Sequence, residues 1–266
     1  MTLTLHKASL HHGKAVQALR EIDLSVAAGE RVALIGPSGA GKSSLLNLLS
    51  SALMPSSGTV EILGENPWAI RSSRRQALRA RIGLVHQSPP IPPRQRVVTA
   101  VSAGRLGQWG LARGLLNLLY PLDANGVREA LDELDLGDKL FAQCGQLSGG
   151  QLQRVGIARV LYQRPDLLLA DEPVSAMDPV LADHTLAVLC RHAERRSLTF
   201  VASLHNVELA LSHFPRVIGL RGGSVLFDCP ASEVTDERLK ALYANEHLLT
   251  APSLEPMAAP MHIPRC

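Results

Sequence analysis

The stretch "VALIGPSGAGKSSLLNLLSSAL" (32–53) constrains this chain more than any other. Four apolar residues run into a glycine-rich loop, and the loop runs into a segment of helical character. A short strand apolar on both faces, followed at once by a loop and a helix, is the unit of a parallel α/β sheet. The loop "GPSGAGKS" (36–43) fits G-x-x-x-x-G-K-[ST] at every position. Gly36, Gly39 and Gly41 let backbone N–H groups converge on phosphates, with Pro37, Ser38, Ala40 and Ser44 completing the candidate contacts. Lys42 places a cation at the β- and γ-phosphates, and the Ser43 hydroxyl can ligate Mg²⁺. The helix that follows adds its positive N-terminal end.

A second apolar strand, in "PDLLLADEP" (165–173), ends in two adjacent carboxylates. Alone, such a pair reads as a solvent-facing turn. Beside a phosphate loop, Asp171 is placed to hold Mg²⁺ through its water shell, and Glu172, on the other side, to orient or deprotonate an attacking water. "LSGGQ" (147–151) then poses a question, because it too has the composition of an anion-binding helix start. A plain N-cap reading accounts for Ser148, but not for both glycines and the glutamine together.

Around these motifs the expected order is clear. "TLTLHKASL" (2–10) alternates like an exposed strand, and "EIDLSV" (21–26) like a half-buried one. "PSSGTVEILGENP" (55–67) reads as turn, strand and turn, 74–81 as helix, and "RIGLVHQ" (81–87) as a strand ending at Gln87. "SPPIPPRQ" (88–95) is a loop, since proline suits neither helix interior nor central strand. Residues 97–143 are helix-rich and suggest an inserted helical subdomain. A helix over 179–196, a strand over 198–205, and a hairpin turning on Gly222–Gly223 complete the pattern. The proline-rich tail 250–266 lacks periodicity and is expected to be disordered.

With 46% hydrophobic and 19% charged residues among 266, the chain is an ordinary globular protein. A net charge of +3, dispersed along the chain, does not suggest a nucleic-acid binder, which would show a concentrated basic face. The densest basic stretch, "RSSRRQALRAR" (71–81), reads as a solvated helix face or, more sharply, as a surface for anionic lipid or a partner. Cys144, Cys190, Cys229 and Cys266 form no CxxC pair and read as reduced thiols. No apolar run approaches the ~20 residues that span a bilayer, and no signal-peptide core is present. A cytosolic chain, or one bound to a membrane only through partners, is expected.

The phosphate loop, Gln87, "LSGGQ", "LLLADEP", "SAMD" (175–178) and His205, in this order and spacing, resemble the nucleotide-binding subunit of an ATP-binding-cassette (ABC) transporter. The resemblance implies a P-loop NTPase core with a parallel sheet, an antiparallel β subdomain, and a helical subdomain over about 90–160, all within 1–245, followed by a flexible tail over 246–266. It implies ATP and Mg²⁺ as cofactors and a head-to-tail homodimer with two ATP molecules at the interface. In such a dimer, Ser148, Gly150 and Gln151 of one subunit would grip the γ-phosphate of ATP held by the other. By the same resemblance Glu172, His205 and Gln87 are catalytic, and Ser43, Gln87 and Asp171 hold the metal. Asp178 communicates across the dimer. Where the family stacks adenine on an aromatic residue, commonly tyrosine, this chain offers His12 or, alternatively, His11.

"AGRLG" (103–107), "GLLNLLYPLD" (114–123) and the segment from 203 to 228 resemble more narrowly the ATPase subunits of phosphonate importers. That resemblance implies separate transmembrane permease subunits, a periplasmic substrate-binding protein that carries specificity, and a place on the cytoplasmic face of a bacterial inner membrane. The alternative is a non-transport relative that docks on a soluble phosphonate-degrading complex.

Overall fold

Strands that are apolar on both faces need cover on both faces, and the arrangement of this chain supplies it. The structure, a computed structural model, describes residues 1–13 and 16–244. It opens with β1 (Leu3–His12), β2 (Val16–Val26) and β3 (Arg31–Ile35), and β3 passes through the glycine-rich loop into α1 (Lys42–Leu49). Then come β4 (Ser57–Ile62), α2 (Ser72–Arg79) and β5 (Ile82–Val85). Helices α3 (Val97–Ser102), α4 (Leu111–Leu119) and α5 (Ala124–Asp132) occupy the helix-rich stretch, and α6 (Gly149–Gln163) begins at "LSGGQ". The remainder is β6 (Leu167–Asp171), α7 (Pro179–Arg195), β7 (Thr199–Ser203), α8 (Val207–His213), β8 (Arg216–Arg221), β9 (Ser224–Pro230) and α9 (Asp236–Tyr243).

Two sheets form. One is antiparallel with order β2-β1-β4, and the other has order β5-β6-β7-β3-β8-β9. In the larger sheet β5, β6, β7, β3 and β8 run parallel, and only the edge strand β9 is antiparallel, through the hairpin at Gly222–Gly223. The period of two divides its side chains between two cores. Val32 and Leu34, Leu167 and Leu169, and Val201 turn toward α1 and the antiparallel sheet. Ala33 and Ile35, Leu168 and Ala170, and Phe200 and Ala202 turn toward the helical side, with α3, α5, α6 and α7.

Several expectations are corrected. β1 is not an exposed strand: it pairs with both β2 and β4, and Leu3, Leu5, Ala8 and Leu10 are buried. Its alternation is masked by register shifts around Lys7, whose φ is +45°. β5 stops at Val85, leaving His86 and Gln87 beyond the strand. The basic stretch agrees with its reading as a solvated helix face: Arg71, Arg74, Arg79 and Arg81 are exposed, and several of its arginines also pair within the chain. Arg74 pairs with Glu65 at 2.6 Å, Arg75 lies 5.2 Å from the centre of the Trp68 ring, Arg79 donates to Ser51 O at 2.6 Å, and Arg81 pairs with Asp166 at 2.6 Å. Cys144, Cys190 and Cys229 are buried free thiols, and burial pushes that of Cys190 up to about 11. The tail predicted to be disordered, and Cys266 within it, lie outside the described residues.

Phe200 is fully buried at the centre of the helical-side core, its ring 5.2 Å from that of Phe214. Phe200→Ala is expected to lower unfolding free energy by about 3–5 kcal/mol. Phe141→Ala, at a side chain 59% exposed, is expected to cost no more than about 1 kcal/mol. Urea unfolding of the two variants checks the difference.

Candidate nucleotide site

The larger sheet carries the C-terminal ends of β3, β6 and β7 to one edge, and that edge is where ligands bind in open α/β sheets. The glycine-rich loop leaves β3 there. Gly36 has φ +148°, and a Cβ on it would stand 2.1 Å from Leu220 O, so only glycine fits the exit from the strand. Gly41 is the N-cap of α1 with φ +104°, and no side chain caps that helix. The uncapped first turn of α1 therefore presents its backbone donors to the cleft. Lys42, nearly buried, donates from Nζ to Gly36 O at 2.6 Å and to Pro37 O at 3.1 Å, inside the bowl of the loop.

The neighbouring strand ends supply the opposite charge. Asp171 Oδ1 accepts from Ser43 Oγ at 3.0 Å and from Ser203 Oγ at 2.7 Å. Ser203 also receives the Glu172 N–H, on its hydroxyl at 3.0 Å and on its carbonyl at 3.2 Å. Glu172 itself has φ +46°, a left-handed conformation that is costly for a side chain other than glycine and that concentrates at functional sites. Its Oε2 accepts from Gln87 Nε2 at 2.8 Å. His86, next to Gln87, is held below the ordinary histidine range, first by burial and then by Arg159.

Together these side chains bound a cleft of ≈ 500 Å³, whose lining includes Ser38–Ser44 of the loop, Gln87, Glu172 and His205. His12, and not His11, reaches the cleft, with Nε2 3.1 Å from Ser44 Oγ. Gly36 and Pro37 enter through the carbonyls that hold Lys42, and Asp171 through Ser43. Ser148, Gly150, Gln151 and Asp178 do not line this cleft. They lie at two helix starts. Asp178 caps α7, accepting from Leu181 N at 3.0 Å, with Pro179 at the first helical position.

Capping explains more of "LSGGQ" than the sequence suggested. Ser148 Oγ accepts from Gln151 N at 3.3 Å, and Gln151 Oε1 accepts from Ser148 N at 3.0 Å, a complete capping box. The glutamine is thus accounted for by the cap. Gly150 answers to a neighbour instead, because a Cβ there would come within 3.0 Å of Ala176 O. Sequence reasoning missed Ser203, although a serine ending an otherwise apolar buried strand was a visible signal. It also missed Gln153, a polar residue 1% exposed on the inner face of α6.

Two outcomes follow from this geometry. Ser148→Ala should lower stability by about 1 kcal/mol through loss of the cap, read by chemical denaturation. If Ser148 acts on nucleotide as well, ATP turnover should fall far more than the lost folded fraction accounts for.

Comparison with known proteins bears on the family to which the chain belongs. The family model described as ABC transporter matches residues 19–175. A phosphonates import ATP-binding protein of Pseudomonas putida is 68% identical over 262 residues, covering 98% of this chain and 97% of its own length. One of Pseudomonas fluorescens is 65% identical over 267 residues and covers both chains in full. Among solved structures, a dimeric bacterial ABC transporter cassette is 27% identical, with a TM-score of 0.77 over 86% of this chain and 98% of that one. A dimeric ATP-binding cassette in a post-hydrolysis state with ADP and phosphate is 26% identical, with a TM-score of 0.73 over the same shares. Strand order, phosphate loop, paired carboxylates and full-length relatedness agree, and the chain belongs to the ATP-binding subunits of ABC transporters.

Proposed function

We propose that the chain hydrolyses ATP with Mg²⁺ as a head-to-tail homodimer, and so drives import of phosphonate or a related phosphorus oxyanion through separate permease subunits at the cytoplasmic face of the inner membrane. The observation that carries the substrate class is identity of 65–68% over essentially the whole chain to proteins named for phosphonate import. Among the described residues no helix is long and apolar enough to cross a membrane. A cavity of ≈ 130 Å³ between Pro89–Ile91 of the Gln87 loop and Gly104, Gly156 and Arg159 offers such a subunit a place to dock. The substrate itself would be bound by the permease and a periplasmic binding protein.

In this reading the α- and β-phosphates sit on the loop N–H groups, and Lys42 exchanges its two carbonyl partners for β- and γ-phosphate oxygens. His12 stacks on adenine. Ser43, Asp171 and Gln87 would hold the metal. Their hydroxyl, carboxylate and carboxamide oxygens are hard donors. No cluster of three His, Cys, Asp or Glu side chains able to hold a metal exists among the described residues. A few protein oxygens supplemented by water and phosphate suit Mg²⁺ better than a protein cage would. Bound there, Mg²⁺ would neutralise charge on the phosphate oxygens. Glu172, steadied by Gln87, orients the attacking water and takes its proton, and His205 contacts the γ-phosphate.

The second copy completes the site with Ser148, Gly150 and Gln151, and Asp178 sits beside the junction. Capping does not compete with this. The Ser148 oxygen accepts the Gln151 N–H, which leaves the hydroxyl proton free to be donated to a phosphate oxygen.

Glu172→Gln is expected to bind ATP and dimerise while turnover falls at least ~100-fold, as for loss of a general base; single-turnover assays with gel filtration measure both. Lys42→Ala should weaken ATP binding at least tenfold by calorimetry. Gentle detergent extraction of the tagged chain should bring down a polytopic membrane protein. Recovery of soluble phosphonate-degrading enzymes alone would transfer the chain to the non-transport alternative.

A further inference from the structure

Helix α6 carries, inward of its first turn, a polar side chain that the scheme above does not use. Gln153 is 1% exposed, and both ends of its carboxamide are engaged. Nε2 donates to Glu172 O at 2.9 Å and to Gln87 O at 3.2 Å, with Ser175 Oγ further off at 3.4 Å. Oε1 accepts from Ala176 N at 3.1 Å. The partners belong to three separate segments: the loop after β5, the end of β6, and the approach to α7. A buried carboxamide satisfied at both ends holds its partners firmly, because breaking any bond leaves a buried polar group unpaired.

Gly156 lies three residues on, along the same face of the helix. A Cβ there would fall 2.6 Å from Pro89 Cγ, so Pro89 seats directly against helix backbone. The Gln87 loop is thus held on α6 at two points, one by hydrogen bonds and one by shape.

We propose that Gln153 is a positioning residue for ATP hydrolysis, a buried joint that fixes the backbone at Gln87 and Glu172 so that their side chains meet. The inference rests on the ATPase reading above. Because the same helix begins at Ser148, Gln153 also joins the group facing the second copy's nucleotide to the catalytic groups of its own chain.

The test uses the full chain with Gln153→Met, which removes all these hydrogen bonds at similar volume, and Gln153→Glu, which keeps an acceptor for Ala176 N but turns a carboxylate oxygen toward two carbonyls. Steady-state ATPase rates are divided by the folded fraction from thermal melts. Expected is a kcat at least tenfold lower per folded molecule for both variants, with KM for ATP within twofold, because the phosphate loop is untouched. A kcat per folded molecule equal to that of the parent would overturn the proposal and leave Gln153 as a core residue. If neither variant folds, Gly156→Ala pushes on Pro89 while leaving every hydrogen-bonding group in place. A severalfold lower kcat at unchanged KM then supports the joint, and parental kcat overturns it. A parent chain without ATPase activity would overturn the functional reading and this inference with it, and the parent control alone distinguishes that case.

Discussion

The parallel pairing of β3 with β7, and of β7 with β6, is the constraint on which the site depends. Parallel strands end on the same edge. Residues 128 positions apart, Ser43 and Asp171, therefore meet at 3.0 Å, and Ser203 joins from a third strand end at 2.7 Å. The strands can lie side by side only because both faces of each are apolar and covered. The antiparallel sheet and α1 on one side, and the helices on the other, are as necessary to the hydroxyl–carboxylate contact as the residues that make it.

This constraint also explains why strain gathers at Glu172. β6 must end at Asp171 for that carboxylate to reach Ser43, and the chain must then turn at once. The Glu172 N–H is held by Ser203, its carbonyl by Gln153 and its side chain by Gln87. Three restraints on one residue stabilise a backbone conformation that the isolated dipeptide disfavours. A backbone so held aims the Glu172 carboxylate at the cleft, and in the proposed mechanism this is the preorganisation that hydrolysis requires.

Much of this was legible in the sequence, for identifiable reasons. The glycine-rich loop, the paired acids and the hairpin glycines are local signals, and the structure places the loop and the acids at one sheet edge and the glycines in the β8–β9 turn. β1 was misjudged because a strand's neighbours are not written in its own residues: the same alternation suits an edge or a centre. "RSSRRQALRAR" was left open because its partners, Glu65, Ser51 and Asp166, lie in other segments. Gln153 was invisible for the same reason, since a glutamine inside a helix reads as solvated until the packing of that helix is known. His12 was separated from His11 only by the register of β1, which brings one of two adjacent histidines to Ser44.

The helix starts at Ser148 and Asp178 show why local completeness does not settle function. Each has one first-turn N–H capped by a side chain of its own chain, so neither needs a ligand for that bond. The proposed head-to-tail dimer, which would cycle between apart and closed states, requires this. If the Gln151 N–H at the start of α6 could be capped only by nucleotide, closure would be driven in part by that one bond, whether or not the ligand were the right one. With the cap in place, a ligand shifts the equilibrium only by the interactions that it adds in the closed state. A γ-phosphate can supply them, drawing on the spare proton of Ser148 and the N–H groups of the first turn. ADP lacks that group, so discrimination between ATP and its product would reside in the one phosphate that hydrolysis removes.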